Sequence, residues 1–262
     1  MSTPELDRVL PTTGIANLRD YGGYPVAGGG RLRWGILFRS GHHHKATAED
    51  LDHIAALRLA AVIDLRSEVE RNALPSRRPV NATYPVISAP SYKAARAPHT
   101  AALAQAPTVD SVSARLRQAY GRIPFQAPMI EAFRLYFQTL VAADGPTLVH
   151  CAAGKDRTGI AVALMHAGLG VHRDEILADF LLTNTVRDQK AHPQPGDRQL
   201  RQSNGDALST EVFRAAQGVD ASWLDAMFDA VEAVGGIDGY LAQTLGLSGS
   251  DRDRLSDRLV TV

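Results

Sequence analysis

The stretch TLVHCAAGKDRTG, residues 147–159, carries the features that decide the fold. Thr147 to His150 is predicted to be a short buried strand of a parallel sheet. Gly154 marks a tight turn, and Gly159 to Met165 are apolar enough to form a helix buried in the fold. A strand, a tight loop and a helix N-terminus in this order are the framework of an anion-binding site.

The segments before this stretch repeat the alternation of strand and helix. Trp34 to Phe38 and Ala60 to Ile63 are short apolar runs, predicted to be strands buried on both faces. Between them, Thr47 and Asp50 have the spacing of a capping box, and apolar residues follow at a helical period. Pro128 opens a further amphipathic helix. We therefore predict a three-layer α/β fold, with a mostly parallel central sheet flanked by helices and the loop at the carboxyl end of a strand.

The segment from Ser91 to Gln126 differs from this core, because it is rich in alanine and proline and has weak periodicity. We predict an insertion there, part loop and part marginal helix. Beyond the loop, Asp220 to Val234 is predicted to be a capped helix, and the last helix to start at Ser250. The chain length fits one large domain, so we assign residues 1–262 to one domain with an insertion at about 91–126.

The overall composition excludes several classes of partner. The 28 basic and 28 acidic residues cancel, and no run of like charge suggests a tail that binds nucleic acid or a membrane. Charged residues interrupt Met1 to Leu10, where a signal peptide would be apolar, and Gly159 to Val171 is too short for stable membrane insertion. We expect a soluble protein, cytoplasmic or exported without a cleavable signal peptide. Its oligomeric state is not indicated.

Cys151 is the single cysteine of the chain, which excludes an intramolecular disulfide and a cysteine-based zinc cage. Five residues separate it from Arg157, and this spacing allows the chain to curl so that successive backbone amides point at one phosphate. The predicted phosphate-binding residues within and next to this loop are Ala152, Ala153, Gly154, Lys155 and Thr158.

The same loop favours a reactive thiol over a buried, inert one. The guanidinium of Arg157 matches two phosphoryl oxygens, and the following helix N-terminus adds partial positive charge. A thiol in such surroundings is commonly a thiolate at neutral pH, which we expect of Cys151. Thr158 is predicted to donate its hydroxyl to that sulfur, and His150 to fix the loop through a ring N–H. The alternative is a buried cysteine in an ordinary turn.

Four motifs together resemble the cysteine-based protein tyrosine and dual-specificity phosphatases, and specifically the bacterial branch typified by mycobacterial protein tyrosine phosphatase B. The loop is typical of the whole superfamily, and three N-terminal motifs indicate the bacterial branch within it. These are Asn17-Leu18-Arg19-Asp20-Tyr21-Gly22-Gly23, Phe38-Arg39-Ser40-Gly41 and Asp64-Leu65-Arg66. The resemblance extends from about Gly14 to about Leu247.

The resemblance implies a two-step reaction without metal or cofactor, in which Cys151 takes the phosphoryl group and water then releases it. Arg157 and the loop amides would stabilise the transition state. The chain lacks the Trp-Pro-Asp sequence that supplies the acid in better-known tyrosine phosphatases. By resemblance to the branch the acid is Asp64, with Asp156 second; structurally, Asp64 could instead pair with Arg66 or Arg39.

The substrate class stays open between several alternatives. Phosphoinositide phosphatases of the wider superfamily also carry a loop lysine, so Lys155 could meet a second phosphate, or it could be an ordinary solvated lysine. The resemblance implies a phosphorylated protein as substrate, with phosphotyrosine, phosphoserine or phosphothreonine, or a phosphoinositide. A phosphoinositide phosphatase as the main activity, a phosphate-binding pseudoenzyme, and a sulfur- or arsenate-handling enzyme are the alternatives.

Three further features have both functional and structural interpretations. His42, His43 and His44 are adjacent and cannot all face one ion, so we predict no metal site there. Arg19 and Asp20 either border the site or stabilise a turn. The insertion at 91–126 could be a lid that shields the thiol from oxidation, by resemblance to the mycobacterial enzyme, or a surface excursion.

Overall fold

A computed structural model describes residues 6–93, 97–103, 108–188 and 209–261. The strands are β1 (Arg19–Asp20), β2 (Arg31–Leu32), β3 (Leu37–Ser40), β4 (Ala61–Asp64), β5 (Val86–Ile87), β6 (Thr147–His150) and β7 (Val260–Thr261). The α-helices are α1 (Ala48–Ala56), α2 (Glu68–Ala73), α3 (Pro98–Leu103), α4 (Val109–Arg122), α5 (Ala127–Ala142), α6 (Asp156–Gly168), α7 (Arg173–Asp188), α8 (Thr210–Gln217), α9 (Ala221–Glu232), α10 (Gly236–Gly239) and α11 (Gly249–Leu259). None of the helices in these ranges is both long and apolar enough to cross a bilayer.

The central sheet has the strand order β1-β3-β6-β4-β5. Strands β3, β6, β4 and β5 run parallel, and only the short edge strand β1 is antiparallel to its neighbour. Strands β2 and β7 form a separate antiparallel pair. The predicted α/β fold with a mostly parallel central sheet flanked by helices is confirmed.

The inner strands bury alternate side chains on the two faces of the sheet. Phe38, Val62 and Leu148 lie side by side in register and pack with Ile54 of α1 on one face. On the other face, side chains such as Val149 join the larger hydrophobic cluster that includes the inner residues of α5 and α6. Helices thus cover both faces of the sheet.

The order of the strands brings three carboxyl ends together. Strand β6 lies between β3 and β4, so Ser40, His150 and Asp64 are register partners at the same edge. Ligand sites of open parallel sheets form outside the carboxyl ends of the strands. They lie where the connections from two neighbouring strands run to opposite faces of the sheet. The loop that follows β6 begins at this position.

Among the elements that differ from the predictions, three are instructive. Strand β3 begins at Leu37 rather than Trp34, because Gly35 turns the chain with a φ of +76° and Trp34 stays half exposed. The predicted marginal helix of the insertion is a full helix, α4, with a capping box from Thr108. Helix α11 is capped by Ser248, two residues earlier than predicted.

Candidate active site

The loop after β6 joins the strand directly to helix α6, which begins at Asp156. Gly154 adopts a φ of +67°, and a Cβ there would lie only 2.4 Å from the carbonyl carbon of Ser40. Only glycine therefore fits the point where the loop packs against the end of β3. This contact explains why the Phe38–Gly41 motif accompanies the loop.

The loop carbonyls are hydrogen-bonded to groups outside the loop. The backbone amide of His42 donates to the Ala152 carbonyl at 3.1 Å. The Gly154 carbonyl accepts hydrogen bonds from Asn17 Nδ2 at 2.7 Å and Arg39 Nη2 at 3.0 Å. Because N–H and C=O of a trans peptide point in opposite directions, outward carbonyls leave amides facing the centre of the loop.

Several amides of the loop have no acceptor within the described part of the protein. In the ranges that the structure describes, the backbone amides of Ala152, Ala153 and Gly154 donate to no protein acceptor. Amides that donate to no protein group need a ligand or water as acceptor. The N-terminus of α6 directs further partial positive charge to the same point.

A buried ion network supports the loop from behind. Asp179 of α7 pairs with Arg19 Nε at 3.0 Å and with Arg39, and both arginine side chains are fully buried. Burial opposes the charge of Asp179, but Arg19 and Arg39 outweigh it and hold the pKa of that carboxyl well below its usual range. Burial and the charge of Arg39 lower the pKa of Arg19 to about 10, so it stays protonated at neutral pH. Two guanidiniums against one carboxylate leave one positive charge behind the loop.

Arg157 is held by a carboxylate from outside the loop. Its Nη1 and Nη2 donate to Glu70 Oε2 and Oε1 at 2.6 and 2.7 Å, and Nη1 also contacts Leu65 O and the Tyr92 hydroxyl. Burial opposes the guanidinium charge, but the hydrogen bonds and charge of Glu70 outweigh burial and raise the pKa of Arg157. This bidentate pair fixes the plane of the guanidinium.

The third nitrogen of the guanidinium, Nε, has no partner among the described residues. Arg157 Nε is buried and unbonded within the part of the chain that the structure describes, and so is the Thr158 hydroxyl. Two buried, unsatisfied donors at the end of the loop that begins with Cys151 indicate a place where a ligand with oxygen acceptors completes the hydrogen bonding. The predicted bond from Thr158 to the Cys151 sulfur is not formed in this conformation. His150 Nδ1 lies 3.3 Å from the Cys151 carbonyl, and the His150 ring stacks on His43.

Glu70 was missed by the sequence analysis, although a signal for it exists. Ser67 and Glu70 form a capping box at the start of α2, in which Ser67 N donates to Glu70 Oε2 at 2.9 Å. The pattern Ser-x-x-Glu predicts such a box. It does not predict that the same carboxylate also reaches Arg157, since that depends on how α2 packs against the loop.

Asp64 is paired with Arg66. The Arg66 guanidinium contacts Asp64 Oδ2 at 2.7 Å, and the Arg66 amide donates to Oδ1 at 3.0 Å. Burial opposes the charge of Asp64, but His150 and Arg66 outweigh burial and lower its pKa to about 2. Because burial also lowers the pKa of His150, that ring is neutral at pH 7, and Arg66 provides the stabilising charge there. Asp64 is therefore a carboxylate at neutral pH in this conformation.

This lowered pKa predicts an acid-dependent contribution to stability. The folded-state pKa of Asp64 is about 2 against an ordinary 3.8, so its contribution is complete above about pH 5 and is lost as the pH falls from there through the folded-state pKa. We expect Asp64→Asn to lower the free energy of unfolding at pH 7 by about 2 kcal/mol. Urea denaturation at pH 7, 5 and 3 measures this.

The exposed Asp238, which pairs with Arg252 at the surface, provides the control for that experiment. Asp238→Asn should change stability by less than about 1 kcal/mol at every pH. If the gap between wild type and Asp64→Asn keeps its full size at pH 3, ionisation of Asp64 is not what stabilises the fold.

Asp156 is contacted by both helices of the insertion. Its Oδ2 lies 3.0 Å from His99 Nδ1 of α3, and its Oδ1 accepts a hydrogen bond from the Tyr120 hydroxyl of α4 at 2.9 Å. Lys155 Nζ lies 3.4 Å from Oδ1. Burial opposes the charge of Asp156, but Lys155, His99 and Tyr120 outweigh it and hold its pKa well below the usual range. Asp156 is therefore also ionised in this conformation.

Lys155 is fully buried rather than solvated. Its ammonium donates to the carbonyls of Ala216 and Gly218, at 2.6 and 2.7 Å, and lies 5.5 Å from the Trp223 ring centroid. The two carbonyls belong to the end of α8, where backbone acceptors lack helical partners. The lysine thereby ties the loop to this helix.

The other predicted candidates have structural partners. His43 Nε2 contacts Ser40 Oγ at 3.0 Å, and the described residues contain no group of three or more His, Cys, Asp or Glu side chains that could hold a metal. Asp20 accepts hydrogen bonds from the amides of Gly22 and Gly35, so it stabilises the turns around it.

Comparison with known proteins agrees with this geometry. Residues 10–261 match the model of the tyrosine phosphatase family. The chain is 36% identical over 234 residues to a protein of Cupriavidus necator named as a candidate tyrosine-protein phosphatase, covering 88% of this chain and 82% of the other. It is 30% identical over 275 residues to the triple specificity protein phosphatase PtpB of Mycobacterium tuberculosis, covering 95% and 97%. A tyrosine-protein phosphatase of Nostoc commune is 32% identical over 133 residues, 48% of this chain and 44% of that one.

Proposed function

Because the chain belongs to the tyrosine phosphatase family, as its motifs predicted, we propose that it hydrolyses phosphate monoesters on proteins through a phosphocysteine intermediate on Cys151. The observation that carries this proposal is the Arg157 guanidinium, fixed by Glu70 with its buried Nε–H left unbonded beside the free loop amides. These donors match the oxygens of a bound phosphoryl group.

The reaction has two displacement steps. In the first, the Cys151 thiolate bonds to phosphorus, the ester P–O bond breaks, and the leaving oxygen takes a proton from an acid. In the second, water attacks the phosphocysteine, gives its proton to the same group, and the S–P bond breaks to release phosphate and thiolate. Arg157 and the loop amides stabilise the equatorial oxygens in both steps.

Of the two carboxylates predicted as the acid, the position in the loop favours Asp156. Both are held as carboxylates in this conformation, Asp64 by its bidentate pair with Arg66 and Asp156 by Lys155, His99 and Tyr120, so this charge pairing does not distinguish them. Asp156 adjoins Arg157 within the loop, so a bound phosphate dianion places negative charge beside it. Like charge raises the pKa of a carboxyl, and substrate binding thus favours the protonated form that step one requires.

Substrates with different leaving groups show whether Asp156 or Asp64 is the acid. We expect Asp156→Asn to lower kcat/KM for phenyl phosphate about 10²-fold, because phenolate leaves poorly without a proton, but to change it less than about 3-fold for 2,4-dinitrophenyl phosphate. Asp64→Asn should affect both substrates alike. If instead Asp64→Asn lowers kcat/KM for phenyl phosphate and not for 2,4-dinitrophenyl phosphate, Asp64 is the acid.

The proposed substrates are phosphorylated proteins, with a range wider than phosphotyrosine. One relative is named a triple specificity protein phosphatase, which supports such a range. A phosphoinositide phosphatase would use Lys155 for a second phosphate, but this ammonium would first have to leave the carbonyls of Ala216 and Gly218. A panel of phosphotyrosine peptides, phosphoserine peptides and phosphoinositides tests this preference, and faster turnover of phosphoinositides would contradict it.

The insertion at 91–126 is proposed to act as a lid. Tyr92, His99 and Tyr120 contact the side chains of Arg157 or Asp156, so the insertion reaches the loop at three points. Weakening these contacts should expose Cys151, and the double variant Tyr92→Phe/His99→Ala should be inactivated by peroxide about 3-fold faster than wild type. Equal rates would favour a surface excursion.

The proposed activity is tested with p-nitrophenyl phosphate. Phosphate release that is insensitive to chelators and blocked by vanadate is expected, together with a phosphorylated protein after rapid quenching in acid. A pseudoenzyme would bind phosphate without turnover. Release that requires a divalent metal would contradict the cysteine mechanism.

A further inference from the structure

We infer that His99 and Tyr120 are positioning residues for proton transfer, which together hold the Asp156 carboxyl in the direction of the leaving group. This inference rests on the proposed function, in which Asp156 is the acid. Each of the two helices of the insertion provides one of these side chains, so the insertion would complete the proton-transfer machinery rather than only cover it.

The two contacts engage different oxygens of one carboxyl. Tyr120 donates to Oδ1 at 2.9 Å, and His99 Nδ1 lies 3.0 Å from Oδ2. Since a carboxylate only accepts hydrogen bonds, both the phenol and the imidazole nitrogen must be donors. Two donors on opposite oxygens fix the rotation of the carboxyl plane. Lys155 Nζ, 3.4 Å from Oδ1, adds positive charge on one side only and does not replace a donor on Oδ2.

The donor on α4 is itself held rigidly. Tyr120 is fully buried, and its ring packs against Phe180 of α7 and Trp223 of α9, with centroid distances of 5.8 and 5.9 Å. Burial and the charge of Asp156 raise the pKa of Tyr120 well above its ordinary value, so its proton stays available for donation. The position of the hydroxyl is therefore set by the packing of three helices.

Without these partners, the Asp156 side chain has a competing place to bond. Asp156 is in the first turn of α6, where the backbone amides have no helical acceptor. Aspartate side chains readily accept from such amides. A carboxyl folded back onto its own helix would point away from the leaving group. His99 and Tyr120 oppose this rearrangement, and a displacement of about 1 Å is enough to slow proton transfer substantially.

The test compares leaving groups, because a merely structural role would not depend on them. We expect Tyr120→Phe and His99→Ala each to lower kcat/KM for phenyl phosphate about 10-fold, and for 2,4-dinitrophenyl phosphate by less than about 3-fold. His99→Asn retains a donor near the position of Nδ1 and should recover most of the loss. Tyr136→Phe removes another buried tyrosine hydroxyl, which contacts Tyr21 away from the loop, and should affect both substrates equally.

A double-mutant cycle separates this inference from the proposed function. In an Asp156→Asn background, His99→Ala and Tyr120→Phe should cause no further loss on phenyl phosphate. Equal losses on both substrates, or full additivity in that background, would overturn the positioning role. If Asp156→Asn itself shows no dependence on the leaving group, the assignment of the acid fails instead, whatever the other variants do.

Discussion

Replacement of Cys151 by serine is expected to lower phosphate release from p-nitrophenyl phosphate by at least about 10⁴-fold. A serine hydroxyl stays protonated at neutral pH and is a much weaker nucleophile than a thiolate. The loop itself should persist, because its carbonyls are held by Asn17, Arg39 and His42, none of which contacts the thiol.

The measurement pairs turnover with anion binding. Titration of Cys151→Ser with tungstate should give a dissociation constant within about 10-fold of wild type, because the amides and Arg157 are unchanged. Retention of more than a hundredth of the wild-type turnover would exclude Cys151 as the nucleophile. If wild type and variant both bind tungstate and neither releases phosphate, the chain is a pseudoenzyme.

Local sequence patterns were sufficient to predict most of the fold. Strand β6 has the predicted bounds, Thr147 to His150, and helix α5 contains Pro128 in its first turn as predicted. Capping residues predicted where α1 and α9 begin, because a cap is specified by side chains only a few positions apart. Where boundaries were wrong, as at Trp34, hydrophobicity alone did not reveal the turn at Gly35.

The supports of the loop could not be predicted in the same way. Glu70 is 87 positions from Arg157, and Asp179 is 160 positions from Arg19, so no local pattern connects them. The sequence motif around Arg19 was recognised by resemblance, but its partner on α7 was not. Such pairs are determined by the packing of whole elements, which spacing along the chain does not encode.

The insertion presents the same difficulty. Its alanine and proline content favoured a loop with a marginal helix, and nothing in that composition links His99 or Tyr120 to Asp156. The physical reason is that α4 gains its stability from packing on α9 rather than from its own propensity. A short stretch of sequence shows the weak helical propensity of α4, but it does not show that α4 packs on α9.

The buried ion network behind the loop should be the most sensitive element of the fold. We expect Asp179→Ala to lower the free energy of unfolding by about 3–5 kcal/mol, because Arg19 and Arg39 would stay buried without their carboxylate. Urea denaturation at pH 7 measures the loss. Asp225→Ala, which breaks the exposed pair with Arg173, is the control and should cost at most about 1 kcal/mol.

The origin of this loss can be tested by removing one of the two unpaired charges. If the penalty comes from buried guanidiniums without a partner, Arg19→Met should destabilise the Asp179→Ala variant much less than it destabilises wild type. Activity should fall together with stability, because Arg39 also holds the Gly154 carbonyl that shapes the anion site. A loss below about 1 kcal/mol in Asp179→Ala, or equal costs of Arg19→Met in both backgrounds, would show that the network contributes packing rather than charge pairing.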